Sequence, residues 1–193
     1  MPYTLVPDAD DYAAKAAVLL DEWVAPDLEQ ESLRLEYVAF ARDALGASVR
    51  REGGPQHMTA SAFVFNAEGT HVVLCFHKKG QFWVQVGGHT EAVDADLARS
   101  ALREATEETG MSGLELVSPF PADLNRHDLG SAFGKCQRHW DVGFVFRAPA
   151  GSMPITSHES EDVKWWPIDA LPSGMPENVP ARIAYAVRVL ESN

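Results

Sequence analysis

What the chain lacks narrows the field first. Two cysteines in 193 residues, Cys75 and Cys136, are too few for a disulfide scaffold, and free thiols in a reducing cytosol are the simple reading. No apolar run approaches membrane-spanning length, and the start of the chain has neither the basic residues nor the apolar core of a signal peptide. The expectation is a cytoplasmic protein that engages no membrane. Basic charge is scarce: 16 Lys and Arg stand against 28 Asp and Glu, a formal net charge of −12. That excludes the basic stripe needed to hold a nucleic-acid polymer. It leaves open a small phosphorylated ligand, because bound cations can reverse the local field. There is no internal repeat and no low-complexity tract. A chain of this length forms one domain, with or without an extension, and buries a substantial core unaided.

What is present begins with helical periodicity. Asp10 to Trp23 and Leu28 to Leu45 carry apolar residues at helical spacing, separated by Ala25-Pro26-Asp27, and Arg50 to Pro55 reads as a linker. Residues 1–54 are therefore expected to form a helical extension and residues 55–193 the main domain. The extension packs either against that domain or against a second subunit in a homodimer; a lid is the weaker alternative. From His57 the pattern changes to strands: Met58 to Phe65 and His71 to Phe76 flank the hairpin turn Asn66-Ala67-Glu68-Gly69. Gln81 to Val86 follows the turn Lys78-Lys79-Gly80. A helix is expected from Leu97 to Thr109 and short strands at Leu114 to Val117, Gln137 to Arg147 and Asp162 to Trp166. An irregular stretch runs through Lys135, and a closing amphipathic helix covers Pro180 to Leu190, its proline suited to the first turn. The fold class is α+β or α/β, with a mixed sheet.

The helix at residues 97–109 poses the chemical question. Glu104, Glu107 and Glu108 stand at i, i+3 and i+4 and share one face near its C-terminal end, which Gly110 closes. Like charges at this spacing cost roughly 0.2–0.5 kcal/mol per pair, and anions at a helix C-terminus roughly 0.3–1 kcal/mol each. Arg103 answers one carboxylate. The rest form either a solvated acidic face, the commoner fate of helix Glu, or a site for a hard divalent cation such as Mg²⁺ or Mn²⁺.

The segment from Gly88 to Met111 resembles the Nudix box, G-x5-E-x7-R-E-U-x-E-E-x-G-U, with U a bulky apolar residue. Arg103 to Met111 matches, with a small Ala105 at one U position. The first half departs: Asp94 stands where the first Glu belongs, and one extra residue precedes Arg103. Either Asp94 or Asp96 takes over the missing acid, and Asp96 also suits an N-cap. The resemblance implies a Nudix-like α/β/α sandwich over residues 55–193. It also implies a diphosphohydrolase that cleaves a diphosphate linkage in a nucleoside diphosphate derivative with Mg²⁺ or Mn²⁺. Carried over by position, Glu104, Glu107, Glu108 and the carbonyl of Gly88 are metal ligands, and Arg103 orients a carboxylate. The general base is either a box Glu or an acid of the loop Ser157 to Trp166, where Glu159 and Glu161 are the choices beside a plain charged loop. The alternative is a non-hydrolytic Nudix-fold nucleotide-binding or sensor domain, motivated by the altered first half of the box.

Weaker candidates for a small nucleotide diphosphate substrate complete the reading. Lys78 could meet phosphate, although a Lys-Lys-Gly turn is more often plain hairpin surface. Trp83, with Phe82, Trp140 and Phe144, could stack a base but sits in strand-like runs that usually form core. His57, His77 and His89 flank strand ends, where a lone His is usually structural. His127, His139 and Asp141 are offered as further lining of the substrate side.

Overall fold

In a computed structural model of the chain, residues 8–130, 135–156 and 160–193 are described. Four helices and eight strands alternate in the order α1 (Ala9–Glu22), α2 (Leu28–Ala44), β1 (Gln56–Phe65), β2 (His71–His77), β3 (Phe82–Val84), β4 (Val86–His89), α3 (Leu97–Thr109), β5 (Glu115–Leu116), β6 (Asp123–Asp128), β7 (Arg138–Arg147), β8 (Ser160–Pro167) and α4 (Val179–Glu191). The strands form one sheet with the central order β3-β2-β1-β7-β5; β4 joins β1, β6 joins β7 and β8 joins β2. This is the expected α+β class with a mixed sheet and helices ahead of it. No helix among the described residues is long and apolar enough to cross a membrane.

The chain divides into two compact units. The first comprises the described residues of Met1–Ala60, His89–Ser100 and Leu124–Val142. Its helices start on acidic N-caps: the Asp8 carboxylate accepts from the amide of Asp10, and that of Asp27 from the amide of Gln30, each satisfying a donor the helix itself leaves open. α1 buries Tyr12, Ala13, Ala16, Ala17 and Leu20, and α2 buries Tyr37, Val38 and Ala41. Polar side chains then tie α2 to later segments of the same unit. Gln30, 4% exposed, gives its amide to the carbonyl of Leu124 at 3.1 Å and accepts the Leu124 N–H at 2.7 Å. Tyr37 donates to the Asp141 carbonyl at 3.1 Å, and Phe40 stacks on Trp140 at 4.5 Å.

The second unit comprises Ser61–Gly88, Ala101–Asp123 and the described residues of Gly143–Asn193. Its core gathers Phe63, Phe65, Val72, Leu74, Ala122 and Val145 with the face Val179, Ile183, Ala186 and Leu190 of α4. Each large side chain so buried contributes about 1.5–3 kcal/mol. β2 and β8 run antiparallel, His71 opposite Pro167 and Phe76 opposite Asp162, with an irregularity between Phe76 and His77. One charged pair lies in this interior: the Arg182 guanidinium donates to both oxygens of Asp123 at 2.6 and 3.1 Å, with side chains only 4% and 1% exposed. Two N–H donors matched to two carboxylate oxygens make such burial tolerable.

Three local expectations are corrected. The run Gln81 to Val86 is two strands, because Gln85 turns inward: it is 8% exposed, donates to Ser61 and offers its carbonyl to Cys75. β3 therefore pairs with β2 while β4 pairs with β1. The irregular stretch before Lys135 contains β6, a strand of mostly polar residues that gives no apolar alternation to read. The segment Arg50 to Pro55 is no free linker: Arg51–Gly53 forms a short 3₁₀ turn, and Arg50 donates to the Thr90 hydroxyl at 3.1 Å.

Candidate functional site

α3 carries the acidic cluster. Helical spacing would set Leu97, Ala98, Ala101, Leu102 and Ala105 on one apolar stripe. Leu97, Ala101 and Ala105 are buried, but Ser100, Glu104 and Glu108 are buried too, while Leu102 is only half-buried. The three carboxylates are thus sorted by environment. The Glu104 and Glu108 residues are 9% and 7% exposed, whereas the Glu107 side chain is 60% exposed. Arg103 reaches both Glu104 and Glu107 at 3.0 Å, bridging two carboxylates rather than one. Glu108 accepts the Gly87 N–H at 3.0 Å, which ties the end of α3 to β4.

Gly88 is explained by the same packing. A Cβ at this position would lie 2.7 Å from the carboxylate atoms of Glu104, closer than side-chain carbons approach carboxylates. The neighbouring Gly87 has φ 150, a value open to glycine and rarely to other residues. The glycine pair therefore lets backbone amides and carbonyls stand directly against two glutamates. Two buried carboxylates and one exposed carboxylate beside bare backbone make an oxygen-rich donor set of the kind hard divalent cations take.

The two acids that compete for the altered first half of the box take different places. Asp96 accepts the N–H of Arg99 at 2.9 Å, the N-cap contact expected of it. Asp94, 4% exposed, accepts the Glu91 N–H at 2.8 Å and the Ser100 hydroxyl at 2.7 Å. Its side chain thus holds the turn that leads into α3.

Of the remaining candidates, Glu159 lies outside the described residues. Glu161 stands on β8 and accepts from Gln81 at 3.1 Å. Lys78 sits exposed in the turn after β2, with Gln81 bonded to its carbonyl. Trp83 packs edge-on against Phe76 and Trp166 with the Lys164 ammonium 4.7 Å above its ring, at the margin of the apolar core. Trp140 is held by Phe40, Tyr37 and Arg126, and Phe144 is fully buried. His77 stacks on Phe82. Asp141, 3% exposed, accepts from Thr59 at 2.7 Å.

His89 belongs to a group the sequence reading did not assemble. In the first unit His57, His89, Cys136 and His139 bring one donor atom each to within 4.8 Å of one another. Burial lowers the pKa of all three histidines, His89 to about 4 and His139 to about 3, and repulsion from neighbouring imidazoles adds to the shift of His89 and His139. They are neutral at physiological pH. The only local signal is the Cys-x-x-His spacing of Cys136 and His139; His57 and His89 are far away along the chain.

Comparison with known proteins agrees with the box and the sheet. The family model for the NUDIX domain matches residues 55–188. Among solved structures, a hydrolase of the NUDIX family from Clostridium perfringens superposes with a TM-score of 0.57 at 22% identity, over 69% of this chain and 97% of the other. A Caenorhabditis elegans Ap4A hydrolase gives 0.57 at 15% identity, over 70% and 98%. The Escherichia coli dihydroneopterin triphosphate pyrophosphohydrolase gives 0.56 at 15% identity, over 68% and 94%. At such identities these structures speak for the fold alone. No curated protein matches the chain. A family match across most of the chain, around a glycine-flanked helix ending in Arg103, Glu104, Glu107 and Glu108, places this protein in the NUDIX family.

Proposed function

We propose that the chain is a metal-dependent hydrolase that cleaves a diphosphate linkage in a nucleoside diphosphate derivative. Residues 55–193 would be the Nudix domain and residues 1–54 its helical extension, a division supported by the start of the family match at residue 55. Glu104, Glu107, Glu108 and the carbonyl of Gly88 would hold Mg²⁺ or Mn²⁺. The observation that carries this reading is the close approach of Gly88 to Glu104: a Cβ there would lie 2.7 Å from a carboxylate that Arg103 already holds, so glycine backbone and carboxylate oxygens converge in one place. When bound, the cations neutralise a diphosphate and acidify a coordinated water.

The chain's own residues prepare that site. Arg103 holds Glu104 and Glu107 side by side through one guanidinium nitrogen, the first buried and the second exposed. Glu108 is oriented by the Gly87 amide. The proton of an attacking water would pass to a box glutamate or to Glu159 or Glu161. Lys78 and Trp83 stay candidates for substrate contact, whereas His89 is drawn into the group with His57, Cys136 and His139.

A second reading, a nucleotide-binding domain without hydrolysis, is favoured by one observation. Asp94, standing for the first box glutamate, is engaged by Glu91 and Ser100. A substrate panel separates the two: ADP-ribose, diadenosine tetraphosphate, nucleoside triphosphates, dihydroneopterin triphosphate and nucleotide sugars. Product release is followed with Mg²⁺ or Mn²⁺ for the wild type and Glu107→Gln. Hydrolysis of one class, reduced at least tenfold by the substitution, is expected. Silence with every cation, or full activity in the variant, refutes the hydrolase reading.

A further inference from the structure

We propose that His57, His89, Cys136 and His139 form a closed zinc site, separate in chemistry from the carboxylates of α3. Three strands supply its imidazoles: His57 from β1, His89 from β4 and His139 from β7. Cys136 precedes β7 in the same unit. The Cys136 sulfur already lies 3.9 Å from Nε2 of His89, and the imidazole rings are 5.0–5.2 Å apart.

The group is compact enough for one ion. Four donors within 4.8 Å of one another fit in a sphere of radius ~2.9 Å, against bond lengths of about 2.0–2.1 Å to nitrogen and 2.3 Å to sulfur. Side-chain shifts of under about 1 Å therefore complete a tetrahedral shell. Zinc favours this donor set of three imidazoles and a thiolate, whereas Mg²⁺ and Mn²⁺ prefer oxygen. With all four positions taken by protein, no place is left for water or substrate, which makes the ion structural.

Unmet polar groups give the second, independent argument. His57 is fully buried, and neither of its ring nitrogens has a partner in good hydrogen-bond geometry; Nε2 of His139 is buried and equally unmatched. Leaving a buried polar atom unsatisfied is costly, and native interiors do so rarely. Beside its ring nitrogens His57 has only a backbone group of Gly54, outside good hydrogen-bond geometry. An ion at the centre takes one ring nitrogen from each of His57 and His139. On binding, the imidazoles donate as neutral bases and Cys136 releases its thiol proton to solvent, so one proton leaves per zinc bound. His127 supports the shell from outside, its ring 5.6 Å from His139 and its Nδ1 fixed by Asn125 at 2.9 Å.

The test uses the full-length protein without a polyhistidine tag. Zinc is counted by elemental mass spectrometry as isolated and after saturation and desalting. The ion is then replaced by Co²⁺ and the absorption spectrum recorded. One zinc per chain is expected, with an intense tetrahedral cobalt spectrum and a sulfur-to-cobalt charge-transfer band in the near ultraviolet. That band should vanish in Cys136→Ser and persist in Cys75→Ser, which changes the other thiol of the chain. Cobalt on the α3 carboxylates would give neither the band nor the tetrahedral intensity. Stripping the zinc should lower Tm by on the order of 10 °C, if binding is about a thousandfold tighter than the free zinc level. Wild type that takes up far less than one zinc per chain and shows no charge-transfer band overturns the proposal, as does a band that survives Cys136→Ser. Should Cys136→Ser fail to fold, the zinc count and cobalt spectrum of the wild type still decide.

Discussion

Glu107→Gln should make the protein more stable without divalent cations and less stable with them. The substitution deletes the one carboxylate of the α3 cluster that is largely in water, 60% exposed. It removes a helix i,i+4 pair with Arg103 at 3.0 Å, a loss of about 0.3–0.5 kcal/mol for such exposed pairs. Against this, repulsion between Glu104 and Glu107 is relieved, about 0.2–0.5 kcal/mol. An anion also leaves the last turn of the helix, about 0.3–1 kcal/mol. The balance is a gain of up to about 1 kcal/mol, or up to about 4 °C in Tm for a chain of this size. Wild type in Mg²⁺ at ten times its dissociation constant gains about 1.4 kcal/mol, or about 3–6 °C, and the variant should lose most of that gain. The two Tm values therefore exchange order on adding Mg²⁺. Differential scanning fluorimetry in resin-treated buffer checks this, chelators being avoided so that the histidine–cysteine group is undisturbed. A variant several degrees below wild type without cation, or equal Mg²⁺ shifts in both proteins, would refute the metal account of the cluster.

Two further outcomes follow from the interior. Asp123→Asn leaves the Arg182 guanidinium, 4% exposed, buried without its counter-charge and should cost about 3–5 kcal/mol; a urea midpoint corresponding to less than about 1 kcal/mol sinks that reading. Burial holds the Tyr12 hydroxyl above its ordinary range, with Asp94 pushing the same way and the 2.7 Å bond to Ser100 opposing it. Its folded-state pKa is raised, so the contribution is fully present below the unfolded value near 10 and is lost as pH rises beyond it. Tyr12→Phe forfeits the Ser100 bond, about 0.5–1.5 kcal/mol at pH 7, but escapes the alkaline loss. The stability gap between wild type and variant should narrow between pH 9 and 11, and a constant or widening gap in denaturant titrations contradicts it.

Much of the architecture was legible along the chain because it depends on near neighbours. Helix periodicity located α1, α2, α3 and α4 to within a residue or two, since apolar positions recur every turn and caps such as Asp27 and Asp96 act on the next three residues. The spacing of Glu104, Glu107 and Glu108 is likewise a property of one helix. β6 escaped notice because it is largely polar and is a strand through its pairing with β7, which no local pattern encodes. The break at Gln85 has the same origin, being set by Ser61 and Cys75.

The amino-acid order by itself determined that acids would crowd one helix end behind a glycine pair, because i, i+3 and i+4 are neighbours in any helix. Tertiary structure alone decided which of them are buried, that Gly88 is pressed against Glu104, and that Asp94 serves a turn. It also decided that residues 57, 89, 136 and 139 would meet. Strand pairing sets those distances, and it joins residues that no local periodicity relates.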